Sequence, residues 1–157
     1  MMKTEQLRSA VACISLATAF NAIASNWIEI GRSSDGTATV SLDAVSMAFS
    51  GSHAKAWFLQ DNMYSLDVPG SYAGTRYVSD KALVLFDCEQ RTSAAAQTVY
   101  YDDHNGSGKV VWSWSTPPAK AMYSDVVPDT LGEAMLESVC ASRHKVKSPK
   151  KASGSAM

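Results

Sequence analysis

From Ser25 to Trp114 the chain alternates hydrophobic and polar residues, which is the pattern of strands that bury one face. Turn residues divide this region into segments at 27–30, 37–43, 54–61, 81–88, 95–101 and 109–114. The dipeptide Asp35-Gly36 and the glycine-containing stretch 102–108 are typical of hairpin connections, because glycine adopts the positive φ angles that tight turns need. The pattern therefore predicts an antiparallel sheet of about six strands.

The period of the pattern changes after the two prolines at 117–118. Thr130 and Glu133 have the spacing of a capping box, in which the threonine hydroxyl accepts from the backbone and the glutamate reaches back. From Leu131 onward, apolar residues recur at intervals that place them on one face of a helix. We expect a C-terminal helix from Leu131 to about Ser142, and an α+β fold in which this helix packs on the sheet.

Residues 1–24 have the features of a secretory signal peptide. Lys3 and Arg8 give it a positively charged start, a mostly apolar stretch follows, and small residues at positions 22 and 24 suit cleavage after Ala24. The alternative is a hydrophobic N-terminal helix that stays in the domain. We favour the signal peptide because charge, apolar stretch and small residues come in the expected order, so we predict an exported protein of the periplasm, the cell surface or the medium.

Removal of the signal peptide takes away Cys13 and leaves two cysteines, Cys88 and Cys140. In an oxidising compartment a pair of cysteines without a metal-binding motif most simply forms a disulfide. This bond would join the end of the fourth predicted strand to the helix. The helix should therefore cover the face of that strand that carries Cys88 and Phe86.

The opposite face of the same strand is also apolar, because it carries Leu83 and Leu85. Two explanations remain open for this face. Either the strand is central and a second layer lies above it, or the face meets another protein, for example a second copy in a homodimer. We favour cover by the chain itself, because a strongly curled sheet can cover its own back.

The distribution of charge separates a tail from the body of the protein. Residues 143–157 contain five basic side chains and no acidic one, together with Pro149 and Gly154. Such a segment cannot bury enough apolar surface to fold. We expect 25–142 to form the domain and 143–157 to be a disordered basic tail. Such a tail could bind anionic membrane or polysaccharide, but we favour the simpler interpretation that it is a solvated chain end.

Composition and motifs exclude several classes of function. The formal net charge of −1 is not that of a nucleic-acid-binding protein, and beyond the signal peptide no apolar run is long enough to span a membrane. The three histidines, His53, His104 and His144, have no acid or cysteine at catalytic or metal-binding spacing. Asp102 and Asp103 are typical of a turn, which explains them better than a metal site does. We expect no enzyme activity, no cofactor and no metal.

Candidate contact residues lie in the stretch 62–80, which the pattern leaves as a connection of nineteen residues. Long connections in compact domains are often functional, and tyrosine supplies amphipathic contact area at low entropic cost. The candidate ligand contacts are Tyr64, Tyr72 and Tyr77. Trp112 and Trp114 share one face of the last predicted strand, and we favour a core position over a ligand platform for them.

Several of these segments together resemble one protein family. They are Trp27-Ile28, Ser41-Leu42-Asp43, Ala56-Trp57-Phe58-Leu59, Phe86-Asp87-Cys88 followed by Arg91, Val127-Pro128-Asp129-Thr130, and Val139-Cys140. In this order and spacing the chain is similar to the bacterial surface-adhesin protein E family of small exported domains. The resemblance covers nearly all of 25–142.

The resemblance implies an antiparallel sheet packed by a C-terminal helix, with Cys88 and Cys140 bonded. It also implies binding to host surface components without enzymatic activity. We therefore expect a non-catalytic exported binding domain whose partner is an extracellular or cell-surface protein. The alternative is a periplasmic accessory or stress domain that binds a small apolar ligand between sheet and helix.

Overall fold

A computed structural model describes residues 25–72 and 74–146. The predicted signal peptide, and the part of the predicted tail after residue 146, lie outside the described residues. No helix within these two ranges combines the length and the apolar character needed to cross a membrane.

The described residues form an antiparallel sheet and a C-terminal helix, as predicted. The elements are β1 (Trp27–Arg32), β2 (Ala38–Asp43), β3 (Ala48–Ser50), β4 (His53–Asp67), β5 (Arg76–Asp87), β6 (Thr92–Tyr101), β7 (Val110–Ser115), β8 (Ser124–Asp125) and α1 (Leu131–Val146). The main strand order is β1-β2-β4-β5-β6-β7, while β3 pairs with β4 and β8 pairs with β6. Because neighbours in the sheet follow each other along the chain, hairpins make most of the connections.

The first hairpin is held by the side chain of Asp35, as the Asp-Gly turn predicts. Its Oδ1 accepts hydrogen bonds from the Ser33 hydroxyl at 2.6 Å and from the Thr37 amide at 3.0 Å. These bonds favour the ionised carboxylate and lower the pKa of Asp35 to about 2. Gly36 follows with φ +72°, a conformation that disfavours any residue with a Cβ.

The predicted connection at 62–80 is wrong, because most of it belongs to a long hairpin. β4 continues to Asp67 and β5 begins at Arg76, so the connection spans only 68–75. Between Asp61 and Leu66 the pairing of β4 with β5 shifts register. The extra residues of such an irregularity break the alternation of polar and apolar positions, which is why the pattern hides the strand.

The capping box of α1 forms largely as predicted. Thr130 Oγ1 accepts from the Glu133 amide at 3.4 Å, and Glu133 Oε2 accepts from the Asp129 amide at 2.8 Å. The predicted end at Ser142 is wrong, since α1 continues to Val146 and takes in the first residues of the predicted tail. The chain has no glycine or proline between Ser142 and Pro149 that would end a helix.

The main hydrophobic core lies between α1 and one face of the sheet. Leu136 and Val139 of α1 are almost completely buried, and they pack with Phe58 and Phe86. The two phenylalanine rings meet edge to face, with centroids 5.9 Å apart. Thus α1 covers the face that carries Phe86, as predicted. At Gly31 of β1 an added Cβ would lie 3.0 Å from Leu131 Cδ2, so a glycine allows the close approach of helix and strand.

The predicted disulfide is confirmed. Cys88 follows β5 and Cys140 lies in α1; their sulfur atoms are bonded and their Cα atoms are 5.7 Å apart. The bond closes a long loop, since the two residues are 52 positions apart. It therefore fixes α1 to the end of β5 in addition to the packing of the core.

The face of the sheet opposite α1 is partly covered by the chain itself. Leu85 of β5 is buried there, beside a groove that it shares with Pro118 and Tyr123 of the segment after β7. Ser79 lies farther along β5, fully buried beneath the β6–β7 connection. The segment after β7 and the β6–β7 connection thus supply part of the cover for the second apolar face.

We predict that replacing both cysteines, Cys88→Ala with Cys140→Ala, lowers the free energy of unfolding by about 4 kcal/mol, because it frees a long loop in the unfolded chain. Urea unfolding of oxidised protein measures this difference. Addition of a reductant should bring the unmodified protein to the stability of the variant and leave the variant unchanged. Equal stabilities of the oxidised protein and the variant would contradict the prediction.

Candidate interaction surface

A second hydrophobic cluster lies apart from the core under α1, at the end of the sheet where β4 turns into β5. Its buried members are Val68, Tyr77 and Tyr100, and Val111 and Trp112 of β7 pack against them. We call the aromatic residues of this region the aromatic end: Tyr72, Tyr77, Tyr100, Trp112 and Trp114. They come from the hairpin turn, β5, β6 and β7, so three neighbouring strands position them.

Edge-to-face contacts connect the rings of the aromatic end. The Tyr77 and Tyr100 centroids are 4.8 Å apart, and the Tyr72 and Trp112 centroids are 6.3 Å apart, both pairs with nearly perpendicular planes. Aromatic pairs favour this geometry because the positive edge of one ring meets the negative face of the other. Tyr72 is nevertheless 83% exposed, so most of its ring is available to a partner while one contact orients it.

The structure separates the three tyrosines that the sequence grouped as contact residues. Tyr77 is only 7% exposed and stabilises the cluster from inside. Tyr72 lies on the surface of the aromatic end, and Tyr64 is exposed in the irregular part of β4. A contact surface for a macromolecule can therefore include Tyr72 and Tyr64, with Tyr77 as support.

The core position that we favoured for both tryptophans of β7 is wrong for Trp114. Trp112 is half-buried, whereas Trp114 is 37% exposed. Their strand is the last in the main strand order, and α1 packs mainly on β1, β2 and β4. The alternation of β7 correctly puts both rings on one face, but alternation alone does not tell how far the helix extends over that face.

A buried carboxyl group lies at the aromatic end. Asp80 of β5 pairs with Gln60 of β4 on one side and with Tyr100 of β6 on the other. Burial raises the pKa of Asp80 to about 7, because the charged form loses its hydration. Burial, followed by the nearby carboxyl of Asp80 and by Tyr100, also raises the pKa of Tyr77 to about 12. The aromatic end thus contains an acid that titrates near neutral pH.

Polar side chains of β4 and β5 hold the β6–β7 connection against the sheet. The Gly106 amide donates to Ser79 Oγ at 2.9 Å, and Lys81 Nζ donates to the Gly106 carbonyl at 3.0 Å. His104 Nδ1 lies 2.8 Å from Asp61 Oδ1. These contacts dock the connection onto β4 and β5. In the part of the chain that the structure describes, no three His, Cys, Asp or Glu side chains are grouped as a metal site.

An apolar groove of about 230 Å³ lies at the other end of the sheet. Its walls include Ala48 of the short edge strand β3, Leu85 of β5, and Pro118 and Tyr123 of the segment after β7. Lys55 lies at the groove as well, and is the cross-strand partner of Leu85. The groove is therefore on the face of the sheet away from α1.

The sequence profile of surface-adhesin protein E matches residues 27–141. No curated protein sequence matches the chain significantly. Among solved structures, protein E of non-typeable Haemophilus influenzae has 15% identity and a TM-score of 0.53, with 80% of this chain and 82% of that chain covered. A second crystal form of Haemophilus influenzae protein E has 15% identity and a TM-score of 0.52, covering 73% of this chain and 87% of that one. At this identity the structural likeness supports the fold.

We predict that Asp80→Asn removes a pH dependence of stability. The folded-state pKa of about 7 is above the ordinary value of 3.8, so the folded protein holds this proton more tightly than the unfolded chain. Relative to the variant, the unmodified protein should therefore lose stability as pH rises between these two values, by up to about 4 kcal/mol. Urea unfolding of both proteins across this range measures the difference; a difference that does not change with pH would contradict the assignment.

Proposed function

The chain belongs to the surface-adhesin protein E family, and we propose that it is a non-catalytic exported domain that binds an extracellular or cell-surface protein through its aromatic end. The family supports a surface adhesin-like role and an exported or surface location. Within this proposal, the aromatic end is the surface that contacts the partner.

The observation that carries the proposal is the exposure of Tyr72 on a fixed support. Its ring rests edge to face on Trp112, and Trp114 continues the same strand face beside it. Tyrosine and tryptophan are enriched among the residues that contribute most to protein interfaces, because each buries a large area at a small cost in side-chain entropy. A surface with both residue types already positioned is suited to a macromolecular partner.

Paired strands support the aromatic end. The long hairpin of β4 and β5 leads to it, and Arg76 near the hairpin turn lies 3.1 Å from the Asp67 carboxylate on the opposing strand. The disulfide between β5 and α1 limits local unfolding at the other end of the hairpin. A preorganised surface loses less entropy on binding than a flexible one does.

We predict that Tyr72→Ala weakens binding to the protein's extracellular-matrix ligand at least about tenfold, because truncating an aromatic hot-spot residue costs about 2 kcal/mol or more. Surface plasmon resonance against a panel of purified extracellular-matrix proteins measures the affinity. Tyr64→Ala tests whether the contact surface extends onto β4.

Tyr123→Ala is the matched control, because Tyr123 is a partly exposed tyrosine at the opposite end of the sheet. It should bind as the unmodified protein does. Equal binding by Tyr72→Ala and the unmodified protein would remove the aromatic end from the proposal. Failure of the unmodified protein to bind any matrix protein would contradict the proposed function itself.

A second candidate function is the binding of a small apolar ligand in a periplasmic accessory role. The groove of about 230 Å³ beside Leu85 and Tyr123 supports it, although on the face away from α1 rather than between sheet and helix. Native mass spectrometry of protein taken directly from its cells would show a retained ligand as added mass, and Tyr123→Ala should reduce that fraction. If neither the unmodified protein nor Tyr123→Ala carries added mass, this second function is contradicted.

A further inference from the structure

Strand β7 has one paired side and one open side. Among the described residues its strand neighbour is β6, and it is the last strand in the main order of the sheet. Beyond its end, the Thr116 amide donates to the Ala96 carbonyl at 2.8 Å, in the same register as the ladder. Backbone groups in an antiparallel ladder point to the partner strand at every second residue. The amides of Trp112 and Trp114 therefore face β6, whereas those of Ser113 and Ser115 face outward.

The two outer strands of the sheet differ in how they are protected. β1 carries Glu29 and Arg32, which form an ion pair at 2.8 Å, and α1 packs close to it at Gly31. β7 reads Val-Val-Trp-Ser-Trp-Ser and contains no charged residue. Natural sheets usually guard an outer strand with charges or a covering element, because open amide and carbonyl groups pair readily with another chain. Within residues 25–72 and 74–146, β7 is therefore the outer strand that has neither charged residues nor a covering element.

The side chains beside the open edge favour a particular kind of added strand. Trp112 and Trp114 share one face of β7, and Tyr72 packs on Trp112. A strand added next to β7 would place every second side chain beside these rings, where aromatic and β-branched neighbours stabilise a cross-strand pair. Serine at 113 and 115 leaves the other face small and polar. The edge thus fits an extended segment with alternating apolar and polar residues and without proline at the positions whose amides face β7.

We propose that β7 binds an extended segment of the partner protein by strand addition, with the outward amides and carbonyls of Ser113 and Ser115 forming the backbone hydrogen bonds. This inference rests on the proposed function and gives its binding mode. The backbone of β7 supplies affinity, and the aromatic end selects the side chains of the added segment.

The test uses the full chain and a phage-displayed library of short random peptides as the probe. Peptides selected on the unmodified protein should alternate apolar and polar residues and lack proline at every second position, where an amide must face β7. Ser113→Ala keeps the outward amide and is the reference that accounts for loss of the serine hydroxyl. Ser113→Pro removes that amide at an edge position where proline is tolerated, and should weaken binding at least about tenfold.

Residue-resolved amide hydrogen exchange gives a readout that does not depend on the variant folding. In the peptide complex, exchange at Ser113 and Ser115 should slow. Exchange at Thr116 should not change, because its amide is already bonded to Ala96.

The inference would be overturned by the absence of any selected peptide, by unprotected amides at Ser113 and Ser115 in the complex, or by equal binding of a folded Ser113→Pro variant. A dimer in light scattering that Ser113→Pro converts to a monomer would also overturn it, since the edge would then be occupied by a second copy. Loss of matrix binding in Tyr72→Ala alongside any of these results leaves the proposed function standing without this binding mode.

Discussion

The attachment of α1 to one part of the sheet determines which hydrophobic residues of the sheet must be buried without the helix. Leu136 and Val139 pack against β4 and β5, and the bond between Cys88 and Cys140 fixes the helix at the end of β5. In this position α1 lies mainly over β1, β2 and β4. The opposite end of the sheet must therefore bury its hydrophobic residues without the helix, which it does through the aromatic end and the docked β6–β7 connection.

That division explains why aromatic residues remain exposed in a small domain. A cluster built from three strands and a hairpin turn buries Tyr77 and Tyr100 but leaves Tyr72 and part of Trp114 in solvent. Large rings held by other rings form a rigid surface, and the open edge of β7 lies directly beside it. Side-chain contacts and backbone hydrogen bonds are thus available to one partner at one place, which suits the adhesin-like role of the family.

Local chemistry made part of this structure predictable from sequence. Asp35 defined the first hairpin, Thr130 with Glu133 defined the start of α1, and the cysteine pair connected helix to sheet. The remainder depended on long-range geometry. The register shift in β4 interrupts the alternation of apolar and polar residues, so the part of the β4–β5 hairpin beyond it could not be recognised in the sequence. Strands as short as β3 and β8 contain too few residues for a periodic pattern. The exposure of Trp114 followed from where α1 ends on the sheet, which no local pattern encodes.

The central claim is that the end of the sheet not covered by α1 is the binding surface. Site-specific photo-crosslinking tests it most directly, with a photoreactive phenylalanine analogue placed at Tyr72 or, as the comparison, at the exposed Glu137 of α1. Irradiation on an extracellular-matrix preparation should give covalent adducts from position 72 and none above background from position 137. Adducts from position 137 alone would contradict the account.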